Sequence, residues 1–470
     1  MEDTSDVTRR LWSLCSILRD EGVTYHEYLN ELTLLLFLKL ASELQVEAVI
    51  PSNDRWDELV RQPEDSALEY YLNVISDLKA NPDAVVSAIF ADADTKIRSG
   101  RSLRQLVAGI DEIDWYRARQ NGLGDVYEGM IQKNAAESRY GTGQYFTPRA
   151  VVDALVQALN PTEKDSVYDP AAGTGGFLVA AGLHASEVNG KQATLVGHEL
   201  VRDVQRMSLM NLLLHGLKGD IELGDSLGMD PANLSASVCL TNPPFGVKGA
   251  LTAEQSLHMD FPTSNKQLAF LQHIYKSLAP NGRAAVVIPD NVLFESGVAG
   301  SVRSHLLDNF RLHTILRLPT GIFYATGIKT SALFFCADGA TEETWIYDLR
   351  SGQGAYGKRR PLVAEDLQDF LSAYGNDPWG RSNRKESNRF RRFSRREVSQ
   401  HEDRLDLAAH EINASDGPTD PLHILDVTGV LSRELMAAHN AINEVERLIK
   451  SYLGDADEDR RGDFVSSGDK

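Results

Sequence analysis

Between residues 166 and 336 the chain alternates short apolar runs with helical stretches, and the first of these alternations turns on Asp-Pro-Ala-Ala-Gly-Thr-Gly-Gly-Phe at 169–177. Few folds accept that pattern. The runs at 166–168, 193–197, 221–223, 238–241, 284–288, 314–318 and 331–336 have the length of strands. Helical stretches opening at Gly175, ending near His215 and covering 265–278 separate them. Strands that return through helices lie side by side in parallel and are covered on both faces. The spacing predicts an α/β class with a mostly parallel sheet.

The flanks read differently. Residues 7–120 are helical in pattern, with one apolar stripe at Leu11, Leu14, Ile17 and Leu18 and nearly another at Leu32, Leu35, Leu36, Lys39 and Leu40. Pro51, Pro63 and Pro82 fall where helix breaks belong. Residues 1–121 are therefore expected to form an all-α N-terminal domain. A linking helix is expected at 124–137, and Thr147-Pro148 has the form of an N-cap opening a helix through Leu159. The sheet-bearing domain spans 122–350. Residues 351–421 form a basic connecting segment with Arg381, Arg384, Lys385, Arg389, Arg391, Arg392, Arg395 and Arg396 clustered around Phe390 and Phe393. Its arginines suit phosphates, a solvated face or an acidic partner surface. Pro418 and Pro421 mark a linker. Residues 422–470 carry an amphipathic helix at 430–453, suited to a partner, and an acidic tail.

In an open α/β sheet, ligands bind beyond the carboxyl ends of the strands. Gly173, Gly175 and Gly176 let the backbone approach a ligand there, and the helix that follows points its amides at it. No Gly-Lys-Ser/Thr sequence follows, which excludes a P-loop. Glu199, at the end of the next strand, is placed to accept from ribose hydroxyls. Asp225, one strand further on, suits the amine of an adenine ring. Asn242-Pro243-Pro244-Phe245 is the most specific signal. Two prolines donate nothing to a sheet but make a rigid loop whose carbonyls can be aimed. The Asn242 side-chain oxygen and the Pro243 carbonyl can each accept one hydrogen of a ring-conjugated amine, whose lone pair then localises for attack. Phe245 can stack on the ring. The tetrapeptide alone also reads as a turn with a core Phe; its order after the glycine turn and Glu199 favours the site.

Composition removes other classes. The formal charge of 48 − 67 = −19 disfavours indiscriminate binding to nucleic acid or anionic membrane. Three separated cysteines without a CxxC pair, and histidines without HExxH spacing, indicate no metal site. Charges at Asp3, Asp6, Arg9 and Arg10 argue against a signal peptide, and the apolar run 32–40 is too short to span a bilayer, so a cytoplasmic protein without a membrane partner is expected.

Residues 144–148 (Gln-Tyr-Phe-Thr-Pro), 169–177 and 242–245 together resemble the S-adenosylmethionine-dependent amino-methyltransferases that modify adenine in DNA. The chain is most similar to the modification subunits of type I restriction–modification systems, and the likeness extends to Met-Asn-Leu-Leu-Leu-His-Gly at 210–216, Phe-Pro-Thr-Ser-Asn-Lys-Gln at 261–267, Pro-Asp-Asn-Val-Leu-Phe at 289–294 and Leu-Pro-Thr-Gly-Ile-Phe-Tyr at 318–324. The resemblance implies a Rossmann-like methyltransferase sheet with an all-α N-terminal domain and a helical C-terminal extension. It implies S-adenosyl-L-methionine held by Gln144, Tyr145, Phe146, Thr147, Pro148, Arg149, Asp169, Ala171, Gly173, Thr174, Gly175, Gly176, Glu199 and Asp225. It places N6 methylation of an adenine flipped from DNA at Asn242, Pro243, Pro244 and Phe245. It also implies a specificity subunit shared by two copies of this chain, and a motor-nuclease restriction subunit. Methylation of a protein glutamine and a non-catalytic scaffold are the alternatives. No motor or nuclease motif is visible, so no cleavage by this chain alone is expected.

Overall fold

The computed structural model describes residues 4–24, 27–43, 49–115, 123–137, 147–245, 251–323, 328–351, 356–357 and 360–407. Gln144, Tyr145 and Phe146, the prolines at 418 and 421, the helix expected at 430–453 and the acidic tail lie outside the described residues. The chain divides into a compact unit of Met1–Leu407 and a second of Ala408–Lys470; the first carries every element below.

Seven helices open the chain: α1 (Thr4–Ser13), α2 (Cys15–Asp20), α3 (Tyr28–Glu43), α4 (Trp56–Arg61), α5 (Glu64–Lys79), α6 (Ala84–Phe90) and α7 (Gly100–Asp111). Pro51 precedes a short 3-10 turn and Pro63 is the residue before α5, as their fixed φ allows. α3 is not a surface helix with one apolar stripe. Thirteen of its sixteen residues are buried, Glu31 and Lys39 among them. Buried charges need partners. Glu31 accepts from the Thr95 hydroxyl and the Lys96 amide, each at 2.8 Å, and Lys39 lies between Glu43 (3.0 Å) and Asp111 (2.9 Å).

After α8 (Leu123–Glu137) and α9 (Arg149–Leu159) the sheet begins. Its first half is β1 (Ser166–Asp169), α10 (Gly176–Asn189), β2 (Thr194–Glu199), α11 (Arg202–Leu214), β3 (Asp220–Leu223) and β4 (Ala236–Thr241). Then follow α12 (Ala253–Leu257), α13 (Lys266–Ser277), β5 (Leu278–Pro289), α14 (Asn291–Phe294), α15 (Val298–Asn309), β6 (Arg311–Leu318), β7 (Thr330–Cys336), β8 (Glu343–Asp348), α16 (Ala364–Tyr374), β9 (Phe390–Ser394) and α17 (Arg395–Gln400). The strand order is β3-β2-β1-β4-β5-β7-β6-β8-β9. β3, β2, β1, β4 and β5 are parallel, whereas β7 is antiparallel to both β5 and β6. All seven residues of β7 and the last eight of β5 are buried, so both faces of the sheet centre are covered.

From β1 the chain moves outward to β2 and β3, then returns to place β4 on the other side of β1. This reversal is the switch point where a crevice opens at the carboxyl ends of the strands. The loops after β1 and β4 leave the sheet there side by side, because the two strands are parallel neighbours.

Two expectations need correction. Thr147 does not cap α9: the residue before the helix is Pro148, with no side-chain cap bond. The basic segment is not a simple connector, because Phe390–Ser394 is the edge strand β9, paired antiparallel with β8. Phe390 is buried against Trp345 and Tyr347. The arginines around it are largely engaged within the fold. Arg384 donates to Thr314 Oγ1 at 2.8 Å and lies over the Tyr374 ring, while Arg381, Arg392 and Arg395 pair with Asp338, Glu343 and Asp308.

Candidate active site

The loop after β1 forms one half of the site. Gly173 (φ +57°) and Gly175 (φ +81°) occupy the left-handed region that glycine reaches without strain. A Cβ on Gly175 would stand 2.6 Å from Ser208 Oγ of α11, so the loop also needs glycine there for close packing. On Gly173 and Gly176 a Cβ would meet almost nothing, which marks open space beside both. Gly176 begins α10, whose free amides face that space. The Thr174 carbonyl accepts from Asn211 Nδ2 of α11 (3.0 Å), and Ser226 Oγ donates to the Pro170 carbonyl (2.8 Å).

Two buried carboxyl groups hold this loop. Asp169 accepts from the Ala171 amide (3.0 Å); burial, reinforced by the charge of Glu199, pushes its carboxyl up to about 7. Glu199 accepts from the Gly173 amide through one oxygen (3.0 Å) and from the Val201 amide through the other (2.9 Å), and burial raises its carboxyl as well. It therefore fixes the glycine turn and keeps further lone pairs. Leu200, immediately after it, is 65% exposed and offers an apolar surface next to the strand end. Asp225 sits at the end of the neighbouring strand, where it accepts from the Leu227 amide (3.0 Å) and from Gln255 of α12.

The other half follows β4. Asn242 is half-buried, and its Nδ2 donates to Thr147 Oγ1 at 2.8 Å. Its Oδ1 is buried and has no hydrogen-bond partner among the described residues. The Pro244 carbonyl accepts from Gln267 Nε2 (3.1 Å), and Gln267 is set in the first turn of α13 by the Asn265 cap. Phe245 is buried with its ring edge-on to Phe323, 5.4 Å between centroids. Of the remaining sequence-predicted residues, Pro148 precedes α9 and Arg149 pairs with Glu128 and Asp153. Among the described residues, no group of His, Cys, Asp and Glu could hold a metal ion, and no helix is long and apolar enough to cross a membrane.

The chain that carries this glycine turn, acidic strand end and Asn-Pro-Pro-Phe loop matches known proteins along most of its length. The profile of the family described as N-6 DNA Methylase matches residues 118–414. The StySPI type I restriction enzyme methylase subunit of Salmonella potsdam is 41% identical over 445 residues, 87% of this chain and 83% of that one. The EcoKI methylase subunit of Escherichia coli strain K12 is 42% identical over 419 residues, 82% and 79% of the two chains. The chain belongs to the N-6 DNA methylase family.

Its type I methylase relatives are also structural neighbours. The crystal structure of the EcoKI M protein superposes with a TM-score of 0.52 at 37% identity, covering 85% of this chain and 88% of that one. A chain from a study of type I restriction–modification assembly gives 0.74 at 26% identity, covering 95% and 98%. Membership makes this N-6 DNA methylase a DNA-modifying enzyme and removes protein glutamine as the leading alternative amine. Sequence reasoning assigned no role to Ser208, Asn211 and Gln267, which shape the two loops from outside them. Asn211 and Gln267 fall inside stretches that carry the family resemblance, which was the available signal.

Proposed function

We propose that this chain is the modification subunit of a type I restriction–modification complex and transfers a methyl group to the N6 amine of an adenine flipped out of DNA. The residues at the glycine turn fit S-adenosyl-L-methionine. The open space beside Gly173 and Gly176 lies against helix amides and a buried acidic group, and Leu200 supplies an apolar flank for a nucleoside. When bound, this cofactor supplies an electrophilic methyl group. Gln144, Tyr145, Phe146, Thr147, Pro148, Arg149, Asp169, Ala171, Gly173, Thr174, Gly175, Gly176, Glu199 and Asp225 form its proposed surroundings. Within these, Glu199 accepts from ribose hydroxyls, while Arg149, tied to Glu128 and Asp153, supports α9.

The target side performs the recognition of the amine. An aniline-like nitrogen attacks poorly because its lone pair is shared with the ring. Asn242 Oδ1 and the Pro243 carbonyl accept its two hydrogens, so the lone pair turns toward the methyl donor, and the rate comes from alignment and fixed dipoles rather than a strong base. Pro244 keeps the loop stiff and Phe245 closes the pocket floor. The single observation that carries this reading is the buried Asn242 Oδ1, which has no partner among the described residues and is an acceptor costly to leave unused.

The proposed complex pairs two copies of the chain with a specificity subunit that reads DNA, in the cytoplasm; a separate motor-nuclease subunit adds cleavage. Residues 408–470 are the proposed partner-binding segment. Methyl transfer to a duplex carrying the recognition sequence, by the assembled complex, tests the reading. Asn242→Ala is expected to lower kcat by about 10²–10³-fold with cofactor affinity retained. Unchanged methylation by that variant would remove the catalytic assignment.

A further inference from the structure

Asn242 presents an ambiguity that its own geometry does not resolve. An amide has a donor end and an acceptor end of nearly equal shape, and only one orientation puts the oxygen toward an amine. The neighbour that holds it, Thr147, has a hydroxyl that both donates and accepts. A free hydroxyl accommodates either amide orientation. One whose proton is already committed can only accept, and then Nδ2 must face Thr147 and Oδ1 must face away.

In the structure the amide is in that second orientation. Thr147 Oγ1 accepts from Asn242 Nδ2 at 2.8 Å, and its own proton has no acceptor among the described residues. Thr147 is released for this role because it does not cap α9, although its position before Pro148 favours a cap. It also stands at the boundary of the two pockets. Asn242 follows β4, and β4 lies beside β1, whose carboxyl end carries the glycine turn.

We propose that Thr147 is a positioning residue that couples the two pockets: cofactor binding engages its hydroxyl proton, which fixes Asn242 with its oxygen toward the target amine. The inference rests on the proposed function, since it assumes an adenine amine at Asn242 and S-adenosylmethionine at the glycine turn. Its consequence is thermodynamic. Cofactor occupancy raises affinity for a flipped adenine, and linkage requires the flipped adenine to raise cofactor affinity by the same factor. A chain of two hydrogen bonds sharing one hydroxyl is also mutually strengthening.

The test uses the assembled complex with its specificity subunit and a duplex that keeps the target adenine and carries 2-aminopurine at the position next to it. DNA affinity and fluorescence are read with and without the non-transferring analogue sinefungin, alongside steady-state methylation of the normal duplex. For the wild type, sinefungin is expected to tighten DNA binding by about fivefold or more, within the usual range of coupling between sites. Thr147→Val is expected to reduce that factor to near one and to lower kcat by about tenfold or more, with cofactor affinity measured without DNA falling by about two- to tenfold, the worth of the one hydrogen bond removed. Thr147→Ser, which keeps the hydroxyl, recovers most of both. Asn242→Ala also abolishes the coupling, since the relay passes through it. The proposal is overturned by an absence of coupling in the wild type, by coupling and kcat intact in Thr147→Val, or by coupling that survives in Asn242→Ala. A Thr147→Val defect confined to cofactor affinity likewise overturns it, making Thr147 a cofactor ligand only. Full methylation by Asn242→Ala sinks the functional reading itself, an outcome separable from each of these.

Discussion

Gln267 does its work 23 residues away from the carbonyl it holds, and that distance explains both its effect and its invisibility to pattern reading. Replacing it with leucine preserves most of its volume on the buried face of α13 but frees the Pro244 carbonyl. Gln267→Leu is therefore expected to lower kcat for methyl transfer by about tenfold, because small misplacements of a reacting group are amplified in rate. Equilibrium binding of S-adenosylmethionine to the variant should be unchanged, and a matching loss of cofactor affinity would contradict the assignment. Asn242 itself was legible in the sequence, since the chemistry of holding an amine dictates residue types at adjacent positions. Gln267, Ser208 and Asn211 leave no such local mark: they are ordinary helix residues until the fold brings them to a loop. Asp169 makes a second prediction at this scale. Its carboxyl is pushed from about 3.8 in an unfolded chain to about 7 in the fold by burial. The folded state thus holds a proton that the unfolded state has released, so stability contributed by this group falls as pH rises between those values and levels off above the upper one. Asp169→Asn removes the titration. The difference in unfolding free energy between variant and wild type, from urea midpoints, should shift in favour of the variant by about 1 kcal/mol between pH 6 and pH 8.

At the scale of elements, α11 is the strut of the site. One side of it supports the glycine turn through Ser208 and Asn211. From another side Arg206, buried to 1%, donates to the Ile89 and Ala91 carbonyls at the end of α6 and to Asn30 Oδ1 in α3. The helical N-terminal region and the glycine turn are consequently fastened to the same helix. Arg206→Met keeps the apolar stem but removes the donor to four acceptors; Asp203 is exposed and returns to water, so the Ile89, Ala91 and Asn30 bonds set a loss of about 3 kcal/mol when each net hydrogen bond is taken as roughly 1 kcal/mol. A fall in the thermal midpoint of about 3–4 °C is expected for a cooperative unit of this size, with faster amide exchange in α6 and α3 than in β5. A midpoint within 1 °C of wild type would show that these contacts stabilise nothing. The sequence revealed the helical region and the sheet because apolar periodicity and short buried runs follow directly from burial. It hid α3's burial on every side, where the apolar stripe disappears, and it hid β9, whose arginines mask a strand held by Phe390 and Phe393. The same arginines were candidate phosphate contacts, but Arg384 is built into the fold and its neutralisation should lower stability rather than merely DNA affinity.

For the whole molecule, charge and architecture separate chemistry from DNA reading. The sequence has a net charge of −19; residues 408–470 contribute 6 − 13 = −7, which leaves 42 − 54 = −12 for residues 1–407. A body of that charge gains nothing from counterion release unless a basic partner supplies the phosphate contacts. The isolated chain is therefore expected to bind a 30-base-pair duplex more weakly than about 10⁻⁴ M at 150 mM salt, the weak limit of ordinary non-specific binding. Deleting residues 408–470 should not improve this, because the remaining body is still acidic. The compact unit ending at Leu407 contains the glycine turn, Glu199, Thr147, Asn242 and Gln267, so the truncated chain should bind S-adenosylmethionine as the full chain does. What the deletion should abolish is co-purification with the specificity subunit, and with it methylation of duplex DNA. Calorimetric cofactor binding, partner pull-down and methyl transfer on the truncated and full-length proteins separate these outcomes. Loss of cofactor binding on truncation would place part of the site in the tail, whereas an intact complex after truncation would move the partner contact onto the acidic body.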